Sequence, residues 1–308
     1  SGVTTVGTDA FKNCNNVKTV INGSSAIAGQ LPAASEAILT YESDGNGGIK
    51  ITKATLGDTV TTYDIPSEIN GKPVTVIGSR LFMGNKNLVS VTIPEGVTTI
   101  EDRVFALAEN LASVTIPSSV NSIGTHAFSE CSKLESAVIP EGVTFIDECV
   151  FYKCTSLRSV TIPSSVTVIA NGAFFYCSSL ESVTLPENLS SIEQQAFNGC
   201  EKITSVVIPN KVTKINNAAF LKCTKLKSVI IGDNVTFIGD MAFGNCENLE
   251  SITIGSGVTT VGTDIFEGCN NIKTVINGSS AISNQLPAAS EAILTYESDG
   301  NGGIKITK

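Results

Sequence analysis

Residues 159–181 read SVTIPSSVTVIANGAFFYCSSLE, and this stretch decides the fold because the chain repeats it. Its Phe174 belongs to a column, Phe82, Phe105, Phe128, Phe151, Phe174, Phe197, Phe220, Phe243 and Phe266, spaced 23 residues apart without an insertion. Other columns share the period. Leu or Ile stands six residues after each Phe, an apolar residue nine after, and Ile or Leu eleven after in all but the last rung. Pro follows at Pro94, Pro117, Pro140, Pro163, Pro186 and Pro209. A fixed period of this length marks a stacked repeat, in which no unit buries its own apolar face. The segment Leu180 to Leu185 alternates apolar and small polar residues, which predicts a short strand with one buried face. Proline lacks an amide donor, so it ends the strand and turns the chain. The next apolar pair, such as Val120 and Ile123, points back inward. The segment around Ala-Phe-x-x-Cys then predicts a tight helical or 3₁₀ return with Phe as the main filler. Nine such rungs, with parallel strands about 4.8 Å apart, predict one sheet about 40 Å long.

The composition excludes several alternatives. The chain of 308 residues carries a net charge of −9, with 20 Lys and Arg residues that never cluster. Binding to a phosphate backbone needs a basic stripe, so nucleic acid is not an expected partner. No apolar run is long enough to span a membrane, so no insertion of this segment is expected.

The recurring Ser-Val-Thr-Ile-Pro-x-x-Val-x-x-Ile-Gly-x-x-Ala-Phe-x-x-Cys, over residues 59 to 277, resembles the BspA-like leucine-rich-repeat family. The resemblance implies a right-handed repeat solenoid with a parallel β-sheet on one face and short helical or 3₁₀ turns on the other. It also implies an extracellular or cell-surface setting, since family members occur on host-associated bacteria and some protists and several are adhesins. The family has no shared ligand or active site to carry over.

A second repeat is longer. Residues 1–53 return as residues 256–308 with six differences, an offset of 255. This predicts a parent with tandem modules, of which the chain holds one period and an overlap. On that reading residues 1–22 are the last rung of a preceding array, and 23–36 are a linker. Residues 37–73 form a β-rich cap, with a hairpin turning at Asp44-Gly45-Asn46-Gly47-Gly48 and a third strand over Thr59 to Ile65. Nine rungs follow over 74–277, then a linker and truncated cap over 278–308.

Candidate chemistry is sparse. Cys131, Cys154, Cys177, Cys200, Cys223, Cys246 and Cys269 each stand three after the rung Phe, as does Cys14 after Phe11, which predicts buried structural thiols, with disulfide pairing between adjacent rungs as the alternative, and not metal ligands. Asn85 and Ala108 hold that place in the first two rungs, so the thiol is not obligatory. Cys149 and the only histidine, His126, share a column with Arg80, Arg103, Gln195 and Asp264, which reads as a loose position. No catalytic set, cofactor or metal is expected. The turn at Asp44 loosely matches the start of a calcium loop but lacks its later carboxylate. Asn188-Leu189-Ser190 and Asn234-Val235-Thr236 fit the glycosylation triplet. The best binding candidates are aromatic: Tyr152 and Phe175 directly follow the core Phe in adjacent rungs, with Tyr176 beside them and Leu221 further along the column. Clustered surface aromatics mark binding sites, although they also serve to shield neighbouring rungs. The strand face reads as rows of hydroxyls, Ser90 to Ser228 beside Thr92, Thr115, Thr161 and Thr184. The expected function is a non-catalytic, monomeric surface or secreted protein that binds a host extracellular protein or glycan. The alternative is a spacer that presents another domain.

Overall fold

The computed structural model describes residues 19–21, 37–285, 292–298 and 304–306. Most of the preceding rung and the first linker, 23–36, therefore lie outside the described residues; the second linker is described as far as a 3₁₀ turn over Ser280–Gln285. Between them the chain is a repeat solenoid with three faces per turn.

The first face carries the predicted strands. Ser136 pairs with Ser159, and Ser205 with Ser228, in parallel register one repeat apart. Inward side chains such as Val206, Val229 and Ile252 are buried, while alternate residues face out. The expected single sheet is divided into three ladders. Thr62–Asp64, Ser90–Thr92 and Ser113–Thr115 form one, Ser136–Val138 and Ser159–Thr161 another, and the third begins at Ser205–Ile208. Residues 182–185 join no ladder, yet Val183 and Leu185 stay buried. The rung keeps its place there because its other two faces hold it. Past the proline, a second face of two-residue strands pairs in the same parallel sense, as in Phe145–Ile146 with Val168–Ile169.

The third face corrects an expectation. The return around each Phe is a series of turns and not a helix. The residues two before and two after every rung Phe sit in left-handed backbone, with φ of 51 to 62° at the non-glycine positions, His126, Cys149, Lys153 and Tyr176 among them. Only Gly84, Gly172, Gly199 and Gly268 in these two columns are glycine. A left-handed L-residue costs about 1–2 kcal/mol and interrupts any helix. What offsets the cost is visible in the hydrogen bonds. The N–H groups of His126, Phe128 and Glu130 donate forward to the carbonyls of Glu148, Val150 and Tyr152, at 2.9, 2.9 and 2.7 Å. On the second face the donation runs backward, as from Gly124 N–H to the Ile100 carbonyl (2.8 Å). Within the return, Ala127 donates to Gly124, Ser129 to His126 and Cys131 to Phe128, closing overlapping four-residue turns. The column holding His126 and Cys149 is thus loose in side chain but fixed in backbone.

Inside, the phenylalanines form one stack. Successive rings from Phe82 to Phe266 have centroids 5.2 to 5.8 Å apart and planes within 20° of parallel. Tyr63 closes its N-terminal end edge-on to Phe82 at 6.0 Å.

The N-terminal hairpin is present. β1 (Thr19–Ile21) is followed by β2 (Ala37–Ser43), which pairs antiparallel with β3 (Ile49–Leu56). β4 (Thr62–Asp64) does not join this hairpin; it heads the first strand-face ladder by pairing with Ser90–Thr92. β5 (Glu68–Ile69) folds back on β6 (Lys72–Ile77), and β6 pairs in parallel with β3. Asp44 forms the turn: its Oδ1 accepts from the N–H groups of Asn46 and Gly48, and its Oδ2 from the Thr75 hydroxyl at 2.6 Å. The Thr75 hydroxyl and the turn amides hold its carboxyl below the usual range. The carboxylate that suggested a calcium loop is occupied by the turn itself.

Candidate interaction surface

The residue directly after the rung Phe is buried against the neighbouring turns at Ala106, Ser129, Asn198 and Gly244 and half-buried at Tyr152 and Phe175, where the larger side chains reach the surface. In most rungs it is small or polar: Ala106, Ser129, Asn198, Gly244. In two adjacent rungs it is Tyr152 and Phe175, and these rings stack at 5.0 Å with planes 3° apart. Tyr176 leans on Phe175 at 4.7 Å and 57°. The Lys153 Nζ lies 5.0 Å above the Tyr152 ring, a favourable placement of a cation on a π face. Tyr176 also lies across Gly199, where an added Cβ would come within 3.0 Å of the ring. Leu221 is separate, its Cδ1 covering Gly244 in the same fashion. Three of the four candidates therefore form one half-buried patch, and the fourth covers a neighbouring backbone. The faces of Tyr152 and Phe175 largely occupy one another, which leaves little open ring face for a sugar to stack on.

The strand face is less uniform than its hydroxyl rows predict. Val138, Val207 and Ile230 are 64%, 58% and 47% exposed, at the position held by Thr in other rungs. Val207 and Ile230 are register partners. Beside Val207, where the ladder is interrupted, a hollow of about 310 Å³ lies between Ser182–Leu185 and Ser205–Pro209. The signal was present in the sequence as an aliphatic residue replacing the Thr of Ser-Val-Thr-Ile.

The column cysteines have a defined structural role. All eight cysteines among the described residues are free. Each column thiol donates to the carbonyl of the Phe in the preceding rung, as Cys177 to Phe151 at 3.1 Å and Cys200 to Phe174 at 3.2 Å. Burial pushes the Cys131 thiol up to about 12 and raises those of Cys154, Cys177, Cys200, Cys223 and Cys246, while Cys269 is raised first by its hydrogen bond with Cys246 and then by burial. Cys149 is less buried, and burial together with Glu148 raises its thiol as well, the reverse of an activated nucleophile. His126, one rung earlier, has a buried Nδ1 without a hydrogen-bond partner. In the native chain at pH 8, iodoacetamide is expected to modify Cys149 before any column cysteine from Cys131 to Cys269, and peptide mapping of a time course reads the order. Modification of the column first would mean that the rungs open readily. Among the described residues no group of three or more His, Cys, Asp or Glu side chains could hold a metal ion, and no helix is long and apolar enough to cross a membrane. The Asn188 side chain donates to the Ser164 carbonyl and accepts from Lys211, so it already bridges rungs.

The periodic columns match the BspA type leucine rich repeat region, in 6 copies, over residues 59–180 and 144–273. The chain belongs to the BspA-type leucine-rich-repeat family. The solenoid, its parallel strands and its Phe stack are this family's repeat realised in one chain. Among solved structures, the BspA-type chain is 26% identical to a leucine rich cell surface protein from Faecalibacterium prausnitzii, covering 84% of this chain and 93% of that one with a TM-score of 0.47. It is 25% identical to the leucine rich repeat protein of T. pallidum, over 76% and 87% of the two chains, TM-score 0.42. The pneumococcal vaccine antigen PcpA is 19% identical over 85% and 91%, TM-score 0.39. No curated protein matches the chain.

Proposed function

We propose that this BspA-type array is a non-catalytic interaction module, displayed at a cell surface or secreted, that binds a host extracellular protein through the patch of Tyr152, Phe175 and Tyr176. The observation that carries the reading is the pairing of large aromatics in adjacent rungs, at a position where the other rungs carry no aromatic residue and most carry a small or polar one. Surface aromatics of this kind supply large contact area at low entropic cost and are enriched among residues that dominate binding. A protein partner fits better than a glycan, because the Tyr152 and Phe175 faces are already stacked on each other. Exposed Val207 and Ile230 offer a second, smaller apolar site on the strand face.

The spacer reading is favoured by a different observation, the near-identical 53-residue segments at offset 255, which tandem structural modules would carry. The two separate in one experiment. The 308-residue chain and a Tyr152→Ser/Phe175→Ser/Tyr176→Ser variant are screened against extracellular-matrix proteins, mucins and a glycan array. Saturable binding that weakens at least tenfold in the folded variant is expected. Absence of binding by the folded parent chain leaves the spacer.

A further inference from the structure

The two nearly identical segments do more than repeat a sequence; they repeat a joint. At the N-terminal end β1 pairs in parallel with β2, Thr19 against Ala37, Val20 against Ile38 and Ile21 against Leu39. At the other end Thr274–Asn277 pairs in parallel with Ala292–Ser298, Thr274 against Ala292, Val275 against Ile293 and Ile276 against Leu294. Every partner in the second set is its counterpart in the first displaced by 255 residues, so the register of the joint is conserved between the two copies.

The two ends show complementary halves of what lies around it. Upstream of the joint, Thr274–Asn277 is the final rung of the strand-face ladder that begins at Ser205–Ile208. Downstream, β2 passes through β3 to β6, Thr99–Ile100 and Ser122–Ile123, which are strands of the second face. The hairpin is also built onto the array that follows it. Ala37, Leu39, Ile49 and Ile51 are buried, Lys50 Nζ lies 2.8 Å from Glu101 Oε1, and Gly78 N–H donates to the Ile51 carbonyl at 2.8 Å. A Cβ on Gly78 would come within 2.4 Å of that carbonyl oxygen, so this close approach depends on glycine.

We propose that the β2–β3 hairpin is a coupler whose partner is the last strand of a preceding copy of this module, joining tandem modules through continuous backbone hydrogen bonding. Because it receives a strand face and passes the sheet to a second face, each joint exchanges the two faces. The strand face of one module continues into the second face of the next, and equivalent surface patches of successive modules point in different directions around the axis. The coupling does not depend on the binding reading above.

Distances between nitroxide spin labels test it, on a Cys14→Ser/Cys149→Ser background that leaves only buried column thiols. Val207, Ile230, Thr253, Ile276 and Leu294 are successive register partners. Labels on Val207→Cys and Leu294→Cys are therefore four strands apart, about 19 Å between their Cα atoms. Placing the second label on Glu297→Cys repeats the measurement without altering the strand's centre. Thr19→Cys with Ser122→Cys reports the N-terminal joint. A single narrow distribution is expected from each pair, and Gly78→Val is expected to broaden the Thr19–Ser122 pair alone. A broad distribution from both C-terminal pairs overturns the coupling. A narrow C-terminal result with a broad N-terminal one in the unaltered Gly78 background overturns it too, since the hairpin would then end an array without joining the next.

Discussion

Replacing Phe174 with Ala is expected to lower stability by about 3–5 kcal/mol, the cost of deleting a large buried aromatic and leaving a cavity. Phe174 is fully buried, with Phe151 at 5.4 Å on one side and Phe197 at 5.2 Å on the other. The substitution removes two ring contacts as well as the buried area, and aromatic pairs add about 0.5–1.5 kcal/mol beyond area alone. In a solenoid each rung is held only by its neighbours, so a central defect uncouples the two halves. Urea unfolding followed by circular dichroism is therefore expected to change from one transition to two. Phe82→Ala, at the end of the stack, is expected to keep one transition because it removes no coupling between rungs on both sides. A loss below about 1 kcal/mol for Phe174→Ala would mean that the stack is not what holds the rungs.

The second large effect concerns backbone alone. Lys222 is exposed, has φ of 60°, and donates its N–H to the Gly244 carbonyl at 2.9 Å. Glycine adopts this conformation without strain but loses more freedom on folding, so Lys222→Gly is expected to change stability by no more than about 1 kcal/mol. Valine is β-branched and strongly disfavours positive φ, so Lys222→Val is expected to lose about 2 kcal/mol. Both variants remove the same side chain from the same exposed site. Chemical denaturation of the pair thus isolates the conformation, and equal stability of the two would remove the left-handed turn from the account.

These two substitutions also mark what the sequence does and does not disclose. The Phe column is legible because packing selects side-chain type: Phe105, Phe128 and Phe151 recur where only a large apolar ring fills the space. The left-handed positions are not legible, because the backbone conformation is imposed by hydrogen bonds to the next rung. His126, Cys149, Gln195 and Met241 have nothing in common as side chains, yet all share positive φ. A helical return is the natural expectation for a compact segment bearing Ala and Phe, and it fails because propensity is weak against the forward ladder of N–H donors. The division of the strand face was equally hidden, since residues 182–185 keep the same alternation as their paired neighbours. The aromatic patch was found by its departure from the column's usual residues. The same comparison applied to the Thr of Ser-Val-Thr-Ile would have found Val207 and Ile230.

The central claim is that rungs are locked together on the return face, with alternate amides donating forward around each Phe from Phe82 to Phe243. Amide hydrogen exchange measured residue by residue tests it most directly. Across the middle rungs, the amides of Phe128, Glu130, Phe151, Lys153, Phe174 and Tyr176 are predicted to exchange as slowly as those of the buried strands, in a pattern recurring every 23 residues. Fast exchange of these amides, with protection confined to the two strand faces, would contradict it.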